Sequence, residues 1–230
     1  MKKIILSSAI LLQTMLLGGF VHAQDWANVQ QFAADNAKVG LPKAGESRVV
    51  FMGNSITQGW GEVHPDFFTG KPYVNRGISG QTTPQMLVRF RPDVIHLKPA
   101  VVVILAGTND IAGNTGPSTL EMIRDNIISM AELAKFNGIK VVISSVLPAS
   151  SYPWNLEIKP AEKIAALNVM LKEYAEKNGF VYLDYYSPMV DDQKGLKKVY
   201  SEDGVHPNMA GYMVMEPLVE AAIAKALAQK

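Results

Sequence analysis

Five short runs rich in β-branched and aromatic residues, separated by segments of helical periodicity, leave this chain few folds to choose from. The runs are Val49–Met52, Pro72–Arg76, Ala100–Leu105, Ile139–Val146 and Phe180–Asp184. The third is almost purely Val, Ile and Leu, which is how a strand reads when both of its faces are buried. Between the runs lie helical patterns. Thr82–Leu97 carries Met86, Leu87, Phe90, Val94 and Ile95 on one side. A second helix is opened by the capping box Ser118-x-x-Glu121 and closed by Asn137-Gly138, and a third runs from Pro160 to Asn178-Gly179. Helices are also expected over Trp26–Ala37 and after Pro207, the latter kinked or broken at Pro217. Strands that alternate with helices pair in parallel, because each crossover returns the chain to the same edge. The expectation is one α/β domain over residues 24–230, with a parallel sheet of about five strands and helices on both faces.

The amino terminus is different in kind. Met1-Lys-Lys3 precedes a nearly unbroken apolar run, Ile4–Phe20, and then Val21-His-Ala23. A basic start, an apolar middle and a small residue before a cut describe a secretory signal peptide over residues 1–23. A membrane anchor would want ~20 or more apolar residues. The mature protein is therefore expected to be secreted or periplasmic, with no stable membrane insertion. Losing Lys2 and Lys3 takes the formal charge from +1 to −1, so composition offers no basic surface for nucleic acid. The chain has no cysteine, which excludes disulfides, thiol nucleophiles and cysteine zinc sites. His, Asp and Glu do not cluster at metal-ligand spacing, so neither a metal nor a cofactor is expected. Serine, histidine and carboxylates are what remain for chemistry.

In a parallel sheet the loops that follow the strands share the carboxyl edge, where open α/β sheets bind ligands. Ser55 follows the first run through Gly53-Asn54, Ser79-Gly80 follows the second, Asn109 the third, and Asp203 and His206 lie beyond the fifth. Each alone reads as a turn or cap residue; Ser55 could do no more than cap a helix. Together they are what acyl transfer needs. A serine hydroxyl attacks once an imidazole takes its proton, the imidazole is held by a carboxylate, and an oxyanion needs placed donors. Gly80 offers an unobstructed N–H and Asn109 a side-chain NH₂. The chain has four histidines. His22 leaves with the signal, His96 precedes a strand and so sits at the amino edge, and His64 has no carboxylate placed as Asp203 is.

Gly53-Asn-Ser55-Ile-Thr, Ser79-Gly80-Gln-Thr, Gly107-Thr-Asn109-Asp and Asp203-Gly-Val-His206-Pro, in this order, resemble the four blocks of the SGNH (GDSL-type) esterase/lipase superfamily. The resemblance runs from about Arg48 to Gly211, nearly the whole mature chain. It implies a flavodoxin-like, three-layer α/β/α fold with strand order 2-1-3-4-5. It also implies Ser55 as nucleophile, His206 as base, Asp203 as its orienter, and Ser55, Gly80 and Asn109 as the oxyanion hole. One position departs from the pattern, since the usual Gly-Asp-Ser reads Gly-Asn-Ser here. No Gly-x-Ser-x-Gly elbow occurs, which sets the chain apart from ordinary α/β-hydrolases.

The function expected is an exported, metal-independent esterase acting on short acyl esters, acetyl above all, of a saccharide or other polar alcohol. The irregular stretches Pro148–Lys159 and Tyr185–Asp203 are polar or charged and offer little apolar wall to a long acyl chain. Trp60, Tyr152 and Trp154 are the candidate sugar-facing aromatics, with ordinary packing the open alternative for the two tryptophans. Two alternatives stay open at this stage: a lipase acting on longer chains, and a ligand-binding protein on the same fold without turnover. A nucleotide-binding reading of Gly77-Ile-Ser-Gly80 lacks both the Gly-x-Gly-x-x-Gly and the Walker pattern.

Overall fold

The computed structural model describes residues 25–229; the expected signal segment lies outside them. Five strands, β1 (Val49–Gly53), β2 (Tyr73–Gly77), β3 (Val101–Leu105), β4 (Lys140–Ser144) and β5 (Val181–Leu183), pair in parallel in the order β2-β1-β3-β4-β5. That is the order the family resemblance implies. Every residue of β1 and β3 is buried, which is why both read as continuous apolar runs. Gly53 stands opposite both Gly77 and Leu105. The first three strands therefore end level, and the loops to Ser55, Gly80 and Asn109 leave from one line.

The helices are α1 (Ala33–Val39), α2 (Ser55–Val63), α3 (Thr83–Asp93), α4 (Thr108–Ile111), α5 (Leu120–Phe136), α6 (Ala161–Asn178), α7 (Tyr186–Met189) and α8 (Met209–Ala228). Successive strand side chains point to opposite faces, and the core divides accordingly. Val50, Met52, Val102, Ile104, Val141 and Ile143 pack with buried residues of α3, α5 and α6. Val49, Phe51, Val101, Val103 and Leu105 pack with those of α2 and α8. Three layers result. Among the described residues no helix is long and apolar enough to cross a membrane.

Three local expectations need correction. The amino-terminal helix does not run over Trp26–Ala37. Asp25 accepts the Val29 and Gln30 N–H groups at 2.8 and 2.9 Å and holds a turn instead. Helix α1 starts only at Ala33 and has no buried residue; Val39 at its end packs, partly buried, against the core. At α5 the cap is Thr119, whose Oγ1 accepts the Met122 N–H at 3.2 Å; the Ser118–Glu121 box does not form. Finally, of the kink or break expected at Pro217, the break does not occur: α8 runs through it as one helix. Met213, one turn earlier, is exposed, so the carbonyl that loses its donor lies on a turn facing water.

Candidate active site

At the end of β1 the chain turns directly into α2, whose first residue is Ser55. The cap is Asn54, buried, with its Oδ1 accepting the Ile56 N–H at 3.0 Å. Capping is thus done by the neighbour, and the Ser55 hydroxyl is left for another partner. Its Oγ lies 2.9 Å from His206 Nε2. On the other side of the ring, Nδ1 lies 2.7 Å from Asp203 Oδ2. The second Asp203 oxygen accepts the His206 and Val205 N–H groups at 2.8 and 2.9 Å and the Ser201 hydroxyl at 3.1 Å. One oxygen therefore folds the loop and the other aims the imidazole. With Nδ1 donating to a carboxylate, Nε2 presents its lone pair to the Ser55 hydroxyl.

Partial burial by itself pushes the Asp203 carboxyl up. The hydrogen bonds from the His206 ring and the His206 and Val205 N–H groups, with the attraction of His206, outweigh it and hold the group at about 2. A carboxyl depressed in the folded state contributes stability that is complete above its unfolded value near 3.8 and is lost as pH falls through about 2. Asp203→Asn should accordingly lower Tm by a constant amount above pH 5. The gap between variant and wild type should close as pH falls from about 4 to 2, measured by thermal melts across that range.

The second loop is pressed against the serine turn. A Cβ on Gly77 would sit 2.1 Å from Gln58 N, so only glycine lets β2 end against α2. Ile78 N–H donates to Gly53 O at 3.1 Å, and Ser79 N–H donates to Gln58 Oε1 at 2.8 Å. Gly80 has φ +75° with open space where a Cβ would stand; the backbone conformation, not crowding, asks for glycine. Among the described residues its N–H meets no backbone acceptor. Buried Asn109, on α4, donates from Nδ2 to Gln81 O at 2.9 Å, which leaves the second amide hydrogen for a ligand. Asp110 beside it accepts both the N–H and the hydroxyl of Thr83, at 3.0 and 2.5 Å, tying α4 to the start of α3. Burial raises the Asp110 carboxyl to about 6 against these hydrogen bonds.

The three aromatics expected to face substrate part company. Trp60 is 1% exposed and stacks on Phe67 at 4.7 Å and Tyr212 at 5.3 Å. It belongs to the face of α2 turned toward α8, so its assignment to substrate is corrected to core packing. Tyr152 is also buried, with its hydroxyl 2.9 Å from Thr108 Oγ1; it too is corrected, from contact residue to support. Trp154 stacks on Tyr152 at 5.1 Å, remains 46% exposed, and has its ring centroid 6.1 Å from that of His206. It alone of the three borders the site. His206 also lines a shallow hollow of about 350 Å³, with Val63, Asp203, Pro207 and Met209 among others. A larger hollow of about 610 Å³, around His96 and Lys98, is at the amino edge and away from Ser55. Among the described residues no three His, Asp or Glu side chains converge as a metal site.

The GDSL-like lipase/acylhydrolase family matches residues 51–214. A crystal structure of a GDSL-like lipase from Bacteroides thetaiotaomicron is 53% identical, with a TM-score of 0.85 covering 87% of this chain and 98% of that one. A Bacteroides fragilis structure assigned as an acylhydrolase is 54% identical, with a TM-score of 0.87 over 89% and 99% of the two chains. An acetylxylan esterase of Xylanibacter ruminicola is 28% identical over 221 residues, which is 80% of this chain and 45% of that protein. The chain spans about half the length of the first curated relatives it matches. With four sequence blocks at the carboxyl edge, the sheet order β2-β1-β3-β4-β5 and a family match over most of its length, the chain belongs to the GDSL-like lipase/acylhydrolase family.

Proposed function

We propose that this protein is an exported carboxylic ester hydrolase that removes short acyl groups, chiefly acetyl, from a carbohydrate or similar polar alcohol. The observation that carries the reading is the continuous relay from Ser55 Oγ through the His206 ring to Asp203, at 2.9 and 2.7 Å. In this mechanism the Ser55 oxygen attacks the ester carbonyl carbon while His206 Nε2 takes the hydroxyl proton. The carbonyl oxygen becomes an oxyanion, held by the Ser55 and Gly80 N–H groups and the Asn109 amide. His206 then gives its proton to the departing alcohol oxygen, leaving the acyl group on Ser55. Water then attacks the acyl carbon while His206 takes one of its protons; the bond from the acyl carbon to Ser55 Oγ breaks, His206 returns the proton to Oγ, and the acid leaves. Asp203 keeps the ring in the tautomer that both halves need.

Short acyl groups and a polar alcohol are favoured by the surroundings. The hollow beside His206 is shallow, and Trp154 presents an exposed indole face propped from behind by Tyr152. An aromatic face beside hydrogen-bonding groups suits the apolar face of a sugar ring. The Xylanibacter relative, named for acetylxylan, agrees with this choice. Export rests on residues 1–23 and is tested by the amino terminus of the mature protein, expected at Gln24. For substrate, kcat/KM across p-nitrophenyl acetate, butyrate, octanoate and palmitate should fall steeply beyond butyrate. Acetylated xylo-oligosaccharides should be deacetylated, with a raised KM in Trp154→Ala. A maximum at octanoate or longer would make the protein a lipase instead.

A further inference from the structure

Arg89 is fully buried, and it lies between the two loops that the proposed reaction uses. On α3 its position invites a reading as one more helix arginine, but its guanidinium is consumed by backbone and side-chain acceptors from three directions. Nη2 donates to Gly53 O at 3.0 Å and to Arg76 O at 2.9 Å. Nε donates to Gln81 Oε1 at 2.5 Å, and Nη1 to Asp93 Oδ2 at 3.0 Å. Gly53 is two residues before Ser55. Arg76 is the residue before Gly77, where β2 leaves the sheet. Gln81 follows Gly80 directly, and its own carbonyl accepts the Asn109 amide at 2.9 Å. The Gln81 side chain is held at its other end by Ala27 O, 2.8 Å from Nε2.

We propose that Arg89 is a positioning residue that locks the serine turn and the oxyanion loop into one rigid unit. The proposal rests on the ester-hydrolase reading above, and it adds a residue that does not touch the substrate. Only a planar fork with several donors can hold four acceptors that lie in different directions; an ammonium is a single point on a flexible stem. Burial depresses the Arg89 pKa, to about 10, while Asp93 acts the other way, so the group stays charged at neutral pH. Charged donors make the stronger hydrogen bonds. Preorganised donors stabilise a transition state because they need no rearrangement during reaction, so loosening this clamp should slow chemistry more than it weakens substrate binding.

The test compares three variants on p-nitrophenyl acetate, each normalised to the number of active sites counted by burst titration. Arg89→Lys keeps a cation beside Asp93 but cannot span the acceptors; kcat should fall about 30-fold with KM within threefold. Asp93→Asn removes the counter-ion without touching either loop; it should lower Tm yet keep kcat within threefold. Gln81→Met removes the link between guanidinium and oxyanion loop while leaving Arg89 in place; Tm should fall, because the Arg89 Nε–H and Ala27 O lose a buried partner, and kcat per active site should fall about tenfold. Gln81→Met carries the test alone if the Arg89 variant does not fold. Wild-type kcat in Gln81→Met overturns the proposal, as does a loss in Asp93→Asn equal to that in Arg89→Lys, since Arg89 would then act only through stability. Failure of the wild type to cleave any ester would instead overturn the hydrolase reading itself.

Discussion

Ser55→Ala should reduce ester turnover by about 10⁶-fold while leaving the melting temperature close to that of the wild type. The size follows from the proposed role: in that reaction no acyl-enzyme forms without the hydroxyl oxygen, and only the oxyanion donors and substrate binding remain to accelerate attack by water. The fold should survive because Asn54, not Ser55, caps α2. Among the described residues the only side-chain partner that Ser55 loses is His206, which stays held by Asp203. Residual activity within 100-fold of wild type, on protein freed of contaminating esterases, would place the nucleophile elsewhere.

His206→Ala should be about as damaging as Ser55→Ala, and combining the two should add little, because in the proposed mechanism the pair acts as a unit. Asp203→Asn should cost less, on the order of 10⁴-fold, since the base survives but its orientation and tautomer are no longer enforced. The loop geometry supports that ordering. Asp203 Oδ1 holds the backbone turn through the Val205 and His206 N–H groups, which an asparagine oxygen can still accept. The Oδ2 contact to the ring is what an amide nitrogen would spoil. Rate constants for the three single variants and the double variant decide the matter. A strictly additive double variant would contradict the coupled relay.

The sheet was legible because burial on both faces writes itself as unbroken Val/Ile/Leu runs, as in Val101–Leu105, and because Gly-rich ends mark where strands stop. The residues that the structure brings together at Ser55 were legible for a related reason: motif blocks that follow successive parallel strands must meet at one edge. What the sequence could not separate were the tryptophans. Trp60 is five residues beyond Ser55 and Trp154 nearly a hundred, yet the near one is core and the far one borders the site. Which face of α2 turns inward is decided by α8, whose Tyr212 stacks on Trp60 and donates to Ile56 O at 2.8 Å. That contact is remote in sequence. Arg89 escaped notice because it falls among Met86, Phe90 and Val94, the apolar stripe of α3. A charged residue inside such a stripe is itself the signal, since an arginine is rarely buried without dedicated acceptors. Asn54 stood out only as a departure from the usual aspartate; its capping role needs nothing more than a neutral acceptor.

The central claim, an activated serine at the end of β1, is tested most directly by treating the purified mature protein with a fluorophosphonate and mapping the modified peptide by mass spectrometry. Labelling should be stoichiometric and confined to Ser55, abolished in Ser55→Ala and slowed by orders of magnitude in His206→Ala. An unlabelled wild-type protein, or a label carried by another residue, would contradict the claim.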